Sequence, residues 1–423
     1  MIKKILFTIF SKASLSLGTI FFIITVNHFF SVEVTGEYMM IISFILGASL
    51  FVKYGLDIAL TRYCAIAYQD EKLSDFYSYI KSALMLIILS SIVVSVLSWF
   101  VIHFYINNWV GKYDVYIIAI IPIISLLYCS SAILKSMELA EYSALLEIGS
   151  ITLLTTIVIF VSFFLGFDLL EDDIIRVLLL VSVFLLFIFI LILIYYARPD
   201  SKLELNNVKY KELTTSLHAY FIPSFLHYLM QWGVVFIIGS ILEPNLAGVY
   251  STLQRFSYII NFVLIICNML LAPKFSILYT QNKIEEIQTL SVQASNYMLG
   301  ALIFVVPITI IISIYYFEYV GLNNAVVPLV ILIIGQSVNV LTGSVAILLN
   351  MTGHQNEVMK TMLFSTSISI VSFYLLTSGY GLTGAVVATS MGMIIQNSLI
   401  SYKVYKIIKI RTLPTILHGT FYG

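Results

Sequence analysis

Apolar residues gather along this chain into long uninterrupted runs parted by short polar stretches. The runs fall at Lys12–Phe30, Tyr38–Tyr63, Ser82–Phe104, Val115–Leu134, Ala144–Leu165 and Ile174–Tyr195. After a longer polar gap they resume at Ser216–Leu242, Val249–Ala272, Tyr297–Tyr319, Val326–Leu349, Met362–Ser378 and Leu382–Tyr402. Each is close to the ~20 residues that a helix needs to cross the ~30 Å hydrocarbon core of a bilayer. They are continuous rather than alternating, which selects helices over the strands of a β-barrel. The pattern predicts an all-α polytopic membrane protein with twelve transmembrane helices.

An even number of crossings puts both termini on one side. That side collects the basic loop residues, among them Lys3, Lys4, Lys72, Lys81, Lys135, Lys202, Lys274, Lys283, Lys360 and Lys403. The opposite loops hold Lys112 and Arg176 and are otherwise acidic, at Glu33, Glu37, Asp168, Glu171, Asp172, Asp173 and Glu243. The positive-inside bias makes both termini cytoplasmic. The formal net charge of +0 hides this asymmetry. The apolar run after Lys3 and Lys4 lacks a small-residue cleavage site, so it reads as a retained first helix.

The long polar gap, residues 198–215, divides the runs six and six. It reads as a cytoplasmic linker between a six-helix bundle at 1–197 and another at 216–423. A weak internal match supports duplication: Val34-Thr35-Gly36-Glu37-Tyr38 opens the second run and Leu246-Ala247-Gly248-Val249-Tyr250 the eighth. Two such halves are expected to form parallel repeats around a central cleft.

Composition narrows the chemistry. Hydrophobic residues make up 60% of the chain and charged residues 10%, with mean hydropathy +1.01; soluble domains carry roughly 25% charge. No soluble domain remains to house a catalytic centre or bind nucleic acid. There is no GxxxxGK[ST] phosphate loop and no HExxH motif. Cys64, Cys129 and Cys267 lie in or at the runs and read as packing residues rather than metal ligands. No catalytic residue, metal site or cofactor is expected, so the chain reads as a non-enzyme.

A charge at bilayer depth costs about 2.5–3.5 kcal/mol on insertion scales, so each needs a reason. Lys53 and Asp57, four residues apart, share one helix face. They form either a neutralised structural pair or a cleft-facing cation tuned by its carboxylate. Arg62, near the cytoplasmic end, either snorkels to the interface or lines the cleft. Arg255 has no acid in its own run, and its guanidinium suits phosphate oxygens. His227 and Gln231, Asn261, and Gln336 with Asn339 add uncharged polar groups. These serve as interhelical glue or as a polar cavity wall.

Several stretches carry a family resemblance. They are Val34-Thr35-Gly36-Glu37-Tyr38, Tyr54-Gly55-Leu56-Asp57 with Thr61-Arg62-Tyr63, and Ala272-Pro273-Lys274-Phe275. Further on come Gly335-Gln336 with Asn339 and Gly343, Leu348-Leu349-Asn350-Met351-Thr352-Gly353-His354, and Gly381-Leu382-Thr383-Gly384-Ala385. In order and spacing the chain resembles the polysaccharide-transporter branch of the MOP superfamily, in particular Wzx-type O-antigen flippases. The resemblance implies a MATE-like fold in a bacterial cytoplasmic (inner) membrane. It implies alternating-access transfer of undecaprenyl-pyrophosphate-linked oligosaccharide, as in lipopolysaccharide biosynthesis, from the cytoplasmic to the outer leaflet. The drive would be an ion gradient of H+ or Na+. Partners would be the lipid-linked oligosaccharide, membrane lipid and other polysaccharide assembly proteins. On that reading Lys53, Arg62 and Arg255 hold pyrophosphate, Asp57 tunes or couples, and His227, Gln231, Asn261, Gln336 and Asn339 line the cavity. His28 stands where relatives often carry arginine, which leaves that position without a fixed charge at neutral pH. The alternatives are a MATE-like exporter of small cations and an integral membrane glycan-modifying enzyme. The first would want acids in its cavity and the second a large outer loop; neither feature is prominent in this sequence.

Overall fold

In hydrocarbon every backbone N–H and C=O must be paired within its own segment, and helices do this locally. A computed structural model describes residues 17–105, 111–197, 213–214, 217–322 and 324–417, and among these there is no strand. Lys12 and linker residues 198–212 and 215 lie outside the described residues. The helices are α1 (Leu17–Phe29), α2 (Val32–Lys53), α3 (Leu56–Gln69), α4 (Leu73–Tyr105), α5 (Asp114–Ser136), α6 (Ala140–Ala144), α7 (Ile148–Phe164) and α8 (Asp173–Ala197). There follow α9 (Leu217–Tyr228), a π-helical turn at Leu229–Gly233, α10 (Val234–Ile241), α11 (Pro244–Thr280), α12 (Ile284–Val320), α13 (Val326–Leu341), α14 (Val345–Met351) and α15 (Gln355–Ile408).

Local chemistry sets several ends. Ser31 Oγ accepts the Val34 N–H at 3.2 Å and caps α2. Pro244 opens α11 where no intrahelical N–H is needed. Hydroxyls inside the helices bond back to carbonyls one turn earlier: Ser82 to Ser78 O at 2.7 Å, Ser182 to Leu178 O at 2.8 Å and Ser313 to Thr309 O at 2.7 Å.

Nine of the described helical stretches are long and apolar enough to cross a membrane, and α1 and α7 are apolar but shorter. The second and tenth expected runs are not single straight helices. The second breaks at Tyr54 and Gly55 between α2 and α3. The tenth breaks at residues 342–344 between α13 and α14. The eleventh and twelfth are joined in α15, where Gly381 (φ 58°, ψ −138°) leaves helical geometry. There the chain reverses. Lys403 pairs with Glu357 and Ser365 Oγ donates to Gln396 Oε1 at 3.5 Å. In one straight helix the first pair, 46 residues apart, would stand about 70 Å from each other.

Packing divides the chain into two compact units, Met1–Ser240 and Ile241–Gly423. In the first, α5 is the hub against α2, α3, α4 and α8. Its Ile117, Ile120, Ile121 and Ile124 are fully buried. Ser90 Oγ donates to Val52 O at 2.8 Å and ties α4 to α2. At one end of this unit, Lys112 stands 3.6–4.0 Å from carboxylate oxygens of Glu37, Glu171 and Asp172. The seventh apolar run, expected to open the second half, packs here against α2 and α3. Ser43 Oγ donates to Trp232 O at 2.6 Å, and the Tyr228 hydroxyl donates to Ser43 O at 3.0 Å. The outward faces of α4 and α8 show lipid-type side chains such as Leu89, Ile92, Leu180 and Phe187.

In the second unit, α11, α12, α13 and α15 pack together. The Tyr250 hydroxyl and Thr389 Oγ1 share a buried hydrogen bond of 2.8 Å between α11 and α15. Ser390 Oγ donates to Ile331 O at 2.8 Å between α15 and α13. Beyond α15 the chain returns to α12: Asn296 Nδ2 donates to Thr415 Oγ1 at 2.8 Å, and the Thr415 N–H donates to Asn296 Oδ1 at 3.0 Å.

Candidate functional site

In the first unit the polar centre forms around the α2–α3 break. Tyr54 (φ 41°) and Gly55 (φ 86°) are successive left-handed residues, and they end one helix and start the next. Lys53 therefore lies in the last turn of α2 and Asp57 in the first turn of α3, each where the helix dipole favours its charge. The expectation that both sit on one face of one helix is corrected by this break. The pair still closes, with Lys53 Nζ 2.5 Å from Asp57 Oδ2. Lys53 is buried, and its ammonium lies 4.4 Å from the Tyr128 ring centroid. Asp57 Oδ1 is buried without a hydrogen-bond partner among the described residues. Chemically this is a neutral unit with one oxygen left to accept, not a bare cation.

Gly55 also lets a second helix approach. A Cβ there would meet Tyr220 Cβ at 2.9 Å and Leu217 O at 3.0 Å, both on α9. The Tyr54 hydroxyl shares a 2.8 Å hydrogen bond with His218 Nδ1. Arg62 is exposed; its Nη1 donates to the Tyr220 hydroxyl at 3.4 Å, and its guanidinium lies 5.7 Å from the Tyr63 ring. His227 is exposed near the end of α9. Gln231 is half-buried inside the π turn, a wider turn that often marks functional positions.

In the second unit the polar residues lie on α11 and α13, two helices that pack together. Arg255 is 6% exposed, with its guanidinium 5.5 Å from the Tyr258 ring centroid. Asn339 Nδ2 donates to Asn261 Oδ1 at 3.2 Å, which joins two residues expected to share a wall. Gln336 is buried and its Oε1 has no hydrogen-bond partner among the described residues. Sequence reasoning missed Gln254. It is 1% exposed, and both polar atoms of its amide are unpartnered among the described residues. Its signal was a glutamine beside Arg255 in an apolar run. Unmade hydrogen bonds at buried groups cost about 1–3 kcal/mol each, so Gln254 and Gln336 each carry polar capacity that the described residues do not use. Among the described residues no cluster of His, Cys, Asp or Glu could hold a metal ion.

Lys53, Asp57, Arg62, His227 and Gln231 thus belong to the first unit, and Arg255, Asn261, Gln336 and Asn339 to the second. The fold is shared with solved transporters. A multidrug resistance MATE family transporter of the MOP superfamily, in an inward-facing conformation, matches with TM-score 0.72 at 14% identity, covering 93% of this chain and 94% of that one. The outward-facing conformation of a multidrug resistance MATE family transporter of the same superfamily matches with TM-score 0.63 at 13% identity, covering 96% and 95%. A eukaryotic MATE transporter matches with TM-score 0.63 at 15% identity, covering 95% of each chain. No curated protein sequence matches the chain. The family model for polysaccharide biosynthesis proteins matches residues 1–279. That stretch is more than half of the 423 residues and contains the Lys53–Asp57 break, Arg62 and Arg255; the chain belongs to the polysaccharide biosynthesis protein family.

Proposed function

We propose that the chain is a flippase of the bacterial inner membrane, with both termini cytoplasmic. It carries undecaprenyl-pyrophosphate-linked oligosaccharide, an O-antigen unit or a similar glycan, from the cytoplasmic to the outer leaflet. The observation that carries this reading is Arg255, a guanidinium buried in an apolar helix of a polysaccharide-family chain. A cation at that depth costs enough to demand a purpose, and a diphosphate supplies one.

Asp57 gives the proposal its coupling step. While ionised, it holds Lys53 and competes with any arriving phosphate. A coupling ion that neutralises Asp57 would break that competition and leave the ammonium free for the diphosphate; its departure would restore the pair and expel the anion. The amides of Gln254, Gln336, Asn261 and Asn339 both donate and accept, which suits sugar hydroxyls. H+ fits this scheme better than Na+, since one carboxylate beside a lysine is a poor metal site. The competing reading, export of small organic cations, is favoured by the shared fold alone; a cation carrier would want free acids where this chain places Lys53 and Arg255.

The test is surface glycan in cells that depend on this chain. Arg255→Ala is expected to lower it severalfold, with lipid-linked oligosaccharide building up on the cytoplasmic face. Lys283→Ala, at a surface pair with Glu286 (2.9 Å), is expected to leave it at the parental level. Parental glycan in both strains would remove Arg255 from the substrate path.

A further inference from the structure

One feature of the first unit is not used by the transport scheme. Aromatic residues form a stripe on α9 and its continuation at Phe221, Phe225, Tyr228, Trp232 and Phe236, recurring every three to four residues. Facing it stand Phe44 and Phe51 on α2 and Tyr54 at its C-terminal cap. The rings contact one another at both ends of the stripe. Tyr54 stacks on Phe221 at 4.2 Å between centroids, Phe51 lies 5.4 Å from Phe221 and 5.7 Å from Phe225, and Phe225 stacks towards Tyr228 at 6.4 Å. Further along, Phe44 and Phe236 meet at 5.9 Å. From Phe221 to Phe236 the column rises about 22 Å at 1.5 Å per residue. That is most of the ~30 Å hydrocarbon thickness.

Two things separate this column from ordinary core packing. Core rings of this protein, such as Tyr38 and Tyr250, are fully buried, whereas Phe51 is 47% exposed and Tyr54, Phe221, Phe225 and Tyr228 are half-buried. And at the end where α9 begins, the column meets exposed basic groups: Arg62 hydrogen-bonded to Tyr220, and His218 hydrogen-bonded to Tyr54. An apolar column with the cationic donor Arg62 at one end matches an amphiphile with an anionic head and a long tail.

We infer that the α2–α9 aromatic column is a binding track for the polyisoprenoid tail of a lipid diphosphate, with Arg62 and His218 at its head end. The inference rests on the flippase reading above. Trisubstituted alkenes with methyl branches present flat faces and C–H edges that stack on rings; straight acyl chains present neither at regular spacing. A track crossing most of the hydrocarbon lets the tail stay engaged while the head changes leaflet.

The experiment is native mass spectrometry of the purified full chain in detergent, titrated with undecaprenyl diphosphate, farnesyl diphosphate or dioleoyl phosphatidic acid. Wild type is expected to bind undecaprenyl diphosphate most tightly. The double variant Phe51→Leu/Phe225→Leu keeps apolar bulk but removes ring faces, and is expected to weaken that binding about tenfold. Its binding of phosphatidic acid should be unchanged, which controls for misfolding. Arg62→Gln should weaken both diphosphates. Unchanged undecaprenyl diphosphate binding in the double variant overturns the track and leaves the flippase reading intact. Equal wild-type affinity for phosphatidic acid also overturns the track, since the column would then be an ordinary lipid face. No wild-type binding of either diphosphate overturns both.

Discussion

Lys53 and Asp57 stabilise the fold only as a pair. Removing one partner of a buried ion pair costs about 3–5 kcal/mol, while replacing both by apolar groups is often neutral. Lys53→Met is therefore expected to lower the melting temperature in detergent markedly, and Lys53→Met/Asp57→Leu to regain most of it; equal melting of the two variants would show that the ion pair carries no coupling. Gln254 makes the opposite prediction. Its amide is buried with neither polar atom partnered, so Gln254→Leu should hold or raise the melting temperature, by about 1–2 kcal/mol of stability, while lowering transport. A variant that melts early and transports normally would make Gln254 structural. The spacing of four made the Lys53–Asp57 pair legible in the sequence. Arg255 stood out in the sequence as a guanidinium in an apolar run, but its burial, at 6% exposure, did not. Gln254 was not, since a single amide in a membrane helix usually reads as glue and only its lack of partners sets it apart.

The breaks decide what the helices can do. Propensity alone does not announce the α2–α3 break, because Tyr54 is an unusual residue for the left-handed region and Gly55 alone is a common helix guest. What enforces it is tertiary: α9 presses its backbone onto Gly55. Gly55→Ala adds both a left-handed penalty, about 1–2 kcal/mol, and a collision with Leu217 O and Tyr220 Cβ. It should melt lower than Gly381→Ala, where the backbone is also special but nothing lies within 4 Å of the added carbon. Thermal melting of the two variants checks this, and a lower melting point for Gly381→Ala would contradict the contact argument. The reversal at Gly381 was legible as two runs, Met362–Ser378 and Leu382–Tyr402, parted by a few residues. The π turn at Leu229–Gly233 left no mark in the sequence, because no residue type distinguishes it.

At the scale of the molecule, the long apolar runs were the clearest reading, since hydrocarbon imposes both their length and their composition. The packing partner of the seventh run was not legible: its hydrophobic faces suit any neighbour, and the choice of α2 is made by ring and hydroxyl contacts between residues far apart in sequence. The orientation argument is testable directly. Lys283→Cys and Asp168→Cys, each made with Cys267→Ala because Cys267 is half-buried, place thiols at surface positions of opposite expected sides, while the native Cys64 and Cys129 are buried. In intact spheroplasts an impermeant maleimide is expected to label Asp168→Cys alone, and in inverted vesicles Lys283→Cys alone. The reverse result would turn the protein over in the bilayer and with it the direction of transport.

The tip of the α15 hairpin offers a practical handle on these experiments. Tyr380 is 73% exposed, and neither Gly379 nor Gly381 has a neighbour within reach of an added side-chain carbon. An epitope spliced between those glycines would displace no packed atom. By the expected topology it would protrude from the cell, where antibody staining could count correctly inserted copies of every variant before its export is judged.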